Sequence, residues 1–199
     1  MNPIAKTLML TTQCSALCSH CPFSDPSLKR IELTLDQVLF KLENAQEDLV
    51  VLSGGEVFEY TQLPKLLQEL QSKNKKRLRI ATGNFIPLKN HLQILKHLPH
   101  FEGLSLGTDT LIKFEAIWFK NMSSIQDYGI PYSLTFTLLK NIRFPLEDVL
   151  SRLSRLNLNP QFIYLRSDSL TDETLIQQTQ KVKDFFANFT IIEDHLNHS

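Results

Sequence analysis

Short apolar or period-two runs alternate along this chain with stretches of helical periodicity, and the alternation continues to its end. The strand-like runs lie at residues 6–12, 48–53, 77–82, 103–107, 132–138 and 161–166. Between them the apolar positions fall three and four apart. Leu35, Val38, Leu39 and Leu42 form a first helical stripe, with Thr34 and Gln37 spaced as a capping box. Leu63, Leu66, Leu67 and Leu70 form a second behind Thr61. A third helix is expected near residues 88–98, and a fourth over 111–128 with Phe114, Ile117 and Trp118 inward. The fifth opens at Pro145, a residue tolerated in a first turn, and buries Leu146, Val149, Leu150 and Leu153. The sixth follows Thr171 and uses Leu175, Ile176, Val182, Phe185 and Phe186. Six strand-helix units in series predict an α/β fold with a parallel sheet and right-handed crossovers. Eight units close a barrel, so six predict a curved, partial (β/α)6 barrel with outer helices and one open side. A run at residues 190–192 is a candidate edge strand.

Composition narrows the class. Nothing in the 199 residues resembles a Gly/Ser/Pro-rich linker, so one domain over residues 1–199 is expected. Hydrophobic content of 42% and charged content of 21% are ordinary for a globular protein and argue against disorder. Twenty-one Lys plus Arg balance twenty-one Asp plus Glu, which gives no support for nucleic acid as a partner. One basic patch, Lys73, Lys75, Lys76, Arg77 and Arg79, reads as a solvated helix-to-strand connection. The start lacks signal-peptide features and no apolar run is long enough for a membrane span, so a cytoplasmic protein without a membrane partner is expected.

The candidate chemistry sits after the first two strands. Cys14, Cys18 and Cys21 are the chain's three cysteines, and Ser53-Gly54-Gly55-Glu56 ends the second strand-like run. Three thiolates can hold three irons of a four-iron cluster and leave the fourth open to a ligand. In parallel α/β folds reactive groups gather at the carboxyl ends of strands, which brings the two motifs together. Two other readings exist: small buried residues at i, i+4 and i+7 of a helix, against which Pro22 and the polar surroundings speak, and a zinc site with His20 as fourth ligand. A His195-x2-His198 tail is a minor metal candidate.

With Cys-x3-Cys-x2-Cys after the first strand and Gly-Gly-Glu after the second, the chain resembles the radical S-adenosylmethionine enzymes, and the resemblance covers essentially its whole length. It implies a radical SAM core, a [4Fe-4S] cluster on Cys14, Cys18 and Cys21, and S-adenosylmethionine chelating the open iron through its amino and carboxylate groups. By resemblance, Ser53, Gly54, Gly55 and Glu56 meet the cofactor's amino-acid end. Glycines let backbone approach a ligand closely, and a carboxylate suits an ammonium group. Thr82 and Asn84 after strand three, and Ser105 and Asp109 after strand four, are further cofactor-binding candidates, although their order and spacing depart from the commoner family forms. Thr135, Thr137, Tyr164 and Arg166 are candidates to face the cavity. His20 stands at the family's usually aromatic position.

The resemblance further implies reductive cleavage of S-adenosylmethionine to a 5'-deoxyadenosyl radical that takes hydrogen from a substrate, with an external electron donor such as flavodoxin or ferredoxin. With all three thiols assigned to one cluster, no auxiliary-cluster domain is expected, and no thiol remains to return a hydrogen atom. Tyr60, Tyr132, Tyr164 or an external oxidant are the alternatives. A wide lateral opening needs a cover to protect a radical, which favours a peptide or protein substrate over a small metabolite. The Gly-Pro-Gly of glycyl-radical-enzyme activases is missing before the cysteines, where the chain reads Leu8-Met9-Leu10-Thr11-Thr12-Gln13. The lead-in of the deazaguanine-forming enzymes is missing too. A non-catalytic iron-sulfur redox or binding module is the reading from another class.

Overall fold

The computed structural model describes residues 5–19, 21–25, 27–140, 144–169 and 171–195. His20 and His198 lie outside these residues, as does the side chain of His195. Strands and helices alternate as β1 (Ala5–Thr11), α1 (Leu35–Glu43), β2 (Leu49–Gly54), α2 (Leu63–Lys73), β3 (Arg77–Thr82), α3 (Lys89–Lys96), β4 (Phe101–Gly107), α4 (Glu115–Asp127), β5 (Tyr132–Leu138), α5 (Leu146–Leu153), β6 (Ile163–Ser167), α6 (Glu173–Phe185) and β7 (Ile191–His195). All neighbouring strands pair in parallel, in the order β1 to β7. Strictly sequential order means the chain winds in one direction, as in a barrel, without the reversal of a doubly wound sheet. The fold is therefore the expected partial barrel, extended by one strand: the 190–192 run pairs with β6 from Ile191 to His195. β1 and β7 share no ladder, which leaves one side open.

Alternation along each strand separates two surfaces. Leu8 and Leu10, Val50 and Leu52, Leu78 and Ile80, Leu104 and Leu106, Leu134 and Phe136, and Ile163 and Leu165 are buried. They meet the inner stripes of the helices, including Val38 and Leu42 of α1 and Leu63, Leu66, Leu67 and Leu70 of α2. Each fully buried leucine contributes about 2 kcal/mol. The intervening residues face the concave side, where side chains from all seven strands line a cavity of about 860 Å³.

Four expectations change in the structure. α4 starts at Glu115, after turns at residues 109–114, and its buried stripe is Trp118, Asn121, Met122 and Ile125, with Phe114 and Ile117 only half-buried. In α6, Leu175 and Val182 face the core, whereas Ile176 and Phe185 are exposed and Phe186 enters the core just past the helix. Leu150 of α5 is half-buried. The basic patch divides: strand alternation turns Arg77 and Arg79 to the concave side, and Arg79 is only 7% exposed. Among the described residues no helix is long and apolar enough to cross a membrane.

Candidate active site

The cysteine loop leaves β1 at Thr11 without forming a helix, which removes the buried-helix reading of the three cysteines. It is held from several directions. The Arg30 guanidinium donates to the carbonyls of Thr12 (3.0 Å) and Phe23 (2.8 Å), and Lys113 donates to the carbonyl of Ala16 (2.6 Å). The Ser15 N–H and hydroxyl donate to the Glu59 carboxylate. Cys21 N–H closes a turn onto the Cys18 carbonyl (3.0 Å), and the Ser24 hydroxyl donates to the Cys21 carbonyl (2.7 Å). All three cysteines are half-buried, unpaired by disulfides, and line the cavity.

Ser53, Gly54 and Gly55 line the same cavity at the end of β2. Gly55 N–H donates to the Thr11 carbonyl (2.7 Å) and Glu56 N–H to the Gln13 carbonyl (2.8 Å), so backbone bonds stitch this strip to the start of the cysteine loop. The glycines are required here for a reason sequence reading placed elsewhere. A Cβ on Gly54 would lie 2.3 Å from the Thr11 carbonyl oxygen, and one on Gly55 2.1 Å from that of Gln13. The close approach that demands glycine is thus the chain's own backbone. Gly54 also has φ +145°, a conformation that L residues rarely adopt.

Glu56 is only 1% exposed and does not line the cavity. Its carboxylate accepts from Phe58 N–H (3.1 Å), the Thr82 hydroxyl (2.8 Å) and Gly83 N–H (3.0 Å), which clamps the end of β3 to the turn after β2. Burial outweighs these bonds and pushes its pKa from 4.5 to about 7. Thr82 reaches the cavity wall, as do Ser105 and Asp109. Asn84 does not: it is fully buried with φ +60°, its amide directed at the Trp118 carbonyl (3.4 Å). Ser105 stands 3.2 Å from Ser133 through their hydroxyls, and Asp109 acts electrostatically on Cys18. Thr135, Thr137, Tyr164 and Arg166 line the cavity. Of the three tyrosines considered as hydrogen donors, only Tyr164 does so. Tyr60 donates to the Leu33 carbonyl (3.0 Å), and Tyr132 accepts from Asn159 N–H (2.8 Å).

Sequence reading missed several residues. Asn121 accepts from Leu88 N–H (3.0 Å) and donates to the carbonyls of Asn84 (3.0 Å) and Ile86 (2.8 Å), fixing the loop after β3. An asparagine on a helix's apolar stripe was the available signal. Phe85, Thr110 and Arg79 also line the cavity; the signal for Arg79 was its inward parity in β3.

The donor set fits an iron cluster. Cys14 is raised in pKa by burial, then by Glu56, Glu59 and Cys21; Cys18 is pushed to about 11 by burial, then by Asp109 and the other two thiols. In these surroundings Cys14 and Cys18 hold their protons when bare, and positive metal charge is what would displace them. Among the described residues no three His, Cys, Asp or Glu side chains converge on one ion-sized point.

The radical SAM superfamily model matches residues 8–142. No curated protein matches the chain in sequence. Among solved structures, SuiB of Streptococcus suis bound to S-adenosylmethionine superposes with a TM-score of 0.71 at 13% identity, covering 98% of this chain and 51% of SuiB. A radical SAM methyltransferase from Sphaerobacter thermophilus gives 0.64 at 12% identity, with 95% and 66% covered. The anSMEcpe enzyme with bound AdoMet gives 0.61 at 12%, with 95% and 61% covered. At these identities the likeness is one of fold, and the chain spans about half the length of SuiB. A family match that takes in β1 to β5 together with both motifs makes the chain a member of the radical S-adenosylmethionine superfamily, an enzyme class whose cofactors are a [4Fe-4S] cluster and S-adenosylmethionine.

Proposed function

We propose that this chain binds a [4Fe-4S] cluster through Cys14, Cys18 and Cys21, cleaves S-adenosylmethionine reductively and abstracts hydrogen from a peptide or protein substrate. The observation that carries the reading is the convergence of three half-buried thiols and the Ser53–Gly55 strip on one cavity. Held by Cys14, Cys18 and Cys21, the cluster would supply the one-electron chemistry that S-adenosylmethionine cleavage requires. The protein's own residues bind, orient and exclude water. Gly54 and Gly55 present bare backbone to the cofactor's amino-acid end, while Thr82, Ser105 and Asp109 offer polar groups along the adjoining wall. Glu56 and Asn84 act from behind that wall as positioning residues. Ala16, Val51, Ala81 and Phe85 supply apolar lining that keeps water from a radical.

The opening between β1 and β7 supports an extended substrate, because a chain lying across it would cover the cavity. SuiB, which shares the fold, has been solved with its precursor peptide SuiA. A small metabolite is the second reading, favoured by a volume within the usual range for small-molecule sites, about 300–1,000 Å³. An external flavodoxin or ferredoxin supplies the electron, and an oxygen-sensitive cluster on unpaired thiols suits the reducing cytoplasm.

Anaerobic reconstitution with iron and sulfide, followed by reduction in the presence of S-adenosylmethionine, tests the proposal. A [4Fe-4S] paramagnetic signal and 5'-deoxyadenosine are expected, both lost in Cys14→Ala, Cys18→Ala or Cys21→Ala. An intact cluster that binds the cofactor yet never yields 5'-deoxyadenosine would leave a binding module in place of an enzyme.

A further inference from the structure

Arg79 lines the cavity and is 93% buried, yet no carboxylate among the described residues lies within ion-pair distance of it. Its guanidinium donates to neutral oxygens: the carbonyls of Leu104 (3.3 Å) and Glu102 (3.1 Å), the Ser133 hydroxyl (3.2 Å) and the Gln161 side-chain oxygen (2.7 Å). The Phe162 ring lies 4.9 Å from the guanidinium carbon. The other two cavity arginines have carboxylates within ion-pair distance. Arg77 pairs with Glu102 at 2.9 Å and with Asp48 at 3.5 Å, and Arg166 stands 3.9 Å from Asp194. A bulge in β4 makes this arrangement, since Glu102 is the extra residue opposite the Leu78–Arg79 step; it turns its carboxylate to Arg77, so that Arg79 bonds its carbonyl and feels the carboxylate only at longer range.

A guanidinium cannot shed its proton to escape burial, and one that donates only to neutral oxygens in a cavity gains from exchanging one of them for an anion. We propose that Arg79 is the anchor for a carboxylate of the substrate, which makes the lower half of this cavity a site for carboxylate-bearing molecules. Gln161 is exposed, and its amide oxygen holds a position on the guanidinium that a carboxylate oxygen can take over. Three residues of strand rise, about 10 Å, separate Arg79 from Thr82 at the upper rim, so the carbon that reacts is several bonds from the anchored group. This inference rests on the enzyme reading above, and it leaves a free acid and an acidic peptide side chain as two sources of the same group.

The test uses reconstituted, S-adenosylmethionine-bound protein and the probe pair hexanoate and hexanamide, with binding followed on the side-chain signals of 15N-labelled arginine. Hexanoate is expected to shift the Arg79 signal and to bind at least about tenfold more tightly than hexanamide, and Arg79→Gln is expected to remove that preference. Because the comparison is made on unaltered protein, it stands even if Arg79→Gln fails to fold. A hexapeptide with one glutamate, set against its glutamine counterpart, distinguishes the sources: a stronger preference than hexanoate's marks a peptide acid, a weaker one a free acid. Equal binding of hexanoate and hexanamide, no binding of either, or a shift confined to Arg77 or Arg166 overturns the anchor. Loss of reductive 5'-deoxyadenosine formation in unaltered protein strikes the enzyme reading instead; its persistence alongside indifference to carboxylates strikes only Arg79.

Discussion

Glu56 has a pKa pushed from 4.5 to about 7 by burial, so between those values the folded protein holds a proton that the unfolded chain has released. Its contribution to stability therefore falls as pH rises through that window, by about 3 kcal/mol in all. Glu56→Gln should flatten the fall, seen as denaturation midpoints at pH 5 and pH 8 lying closer together than in the unaltered protein. The variant should also be less stable at pH 5, because an amide nitrogen cannot accept from Gly83 N–H. Equal pH slopes in the two proteins would dismiss the buried carboxyl as their source. The glycines give a second contrast. Gly55→Ala drives a Cβ into the Gln13 carbonyl and should cost about 3 kcal/mol or more, whereas Gly107→Ala, whose nearest neighbour would be 3.6 Å away, should cost less than about 1 kcal/mol in chemical denaturation. Gly54, Gly55 and Glu56 were legible as a functional strip from their place after a buried strand. What each touches was not, because the partners of Gly55 and Glu56 lie some forty residues or about thirty residues away in sequence and are set by strand pairing.

At the level of elements, strand positions read well because apolar parity and helical spacing are separate signals, and β7 was visible only as a short run whose pairing decides its length. α4 read less well. Its inner stripe contains Asn121, a polar residue whose burial is offset by three hydrogen bonds to the loop after β3. Asn121→Leu keeps the branched shape and heavy-atom count and strands those three backbone groups, so a loss of about 3 kcal/mol is expected in denaturant titration. Hydrogen exchange should locate it: the Leu88 amide, which donates to the Asn121 side chain, should lose protection more than amides in β5. Uniform loss across the sheet would mean that α4 as a whole had come loose. The basic patch misled for a related reason. Composition counts Arg77 and Arg79 with the lysines before them, while the strand's two-residue period sends them to the concave wall.

Across the whole molecule the apolar core lies between sheet and helices, and the candidate chemistry lies on the opposite, concave side. The two are separable. Cys14→Ser, Cys18→Ser and Cys21→Ser combined should leave the metal-free protein with an unchanged circular dichroism spectrum and a stability within about 0.5 kcal/mol. A larger change would show that the loop contributes to folding before any metal arrives.

The stitching of β2's end to the cysteine loop decides the polarity of what this strip can recognise. Glycine-rich turns after parallel strands commonly grip phosphates, and they do so by leaving backbone N–H groups free to point at the anion. Here the N–H groups of Gly55 and Glu56 are already spent on Thr11 and Gln13. A ligand arriving at this turn meets a nest with its donors removed, so nucleoside phosphates gain nothing from it, and a positively charged, hydrogen-donating group is the complement that remains.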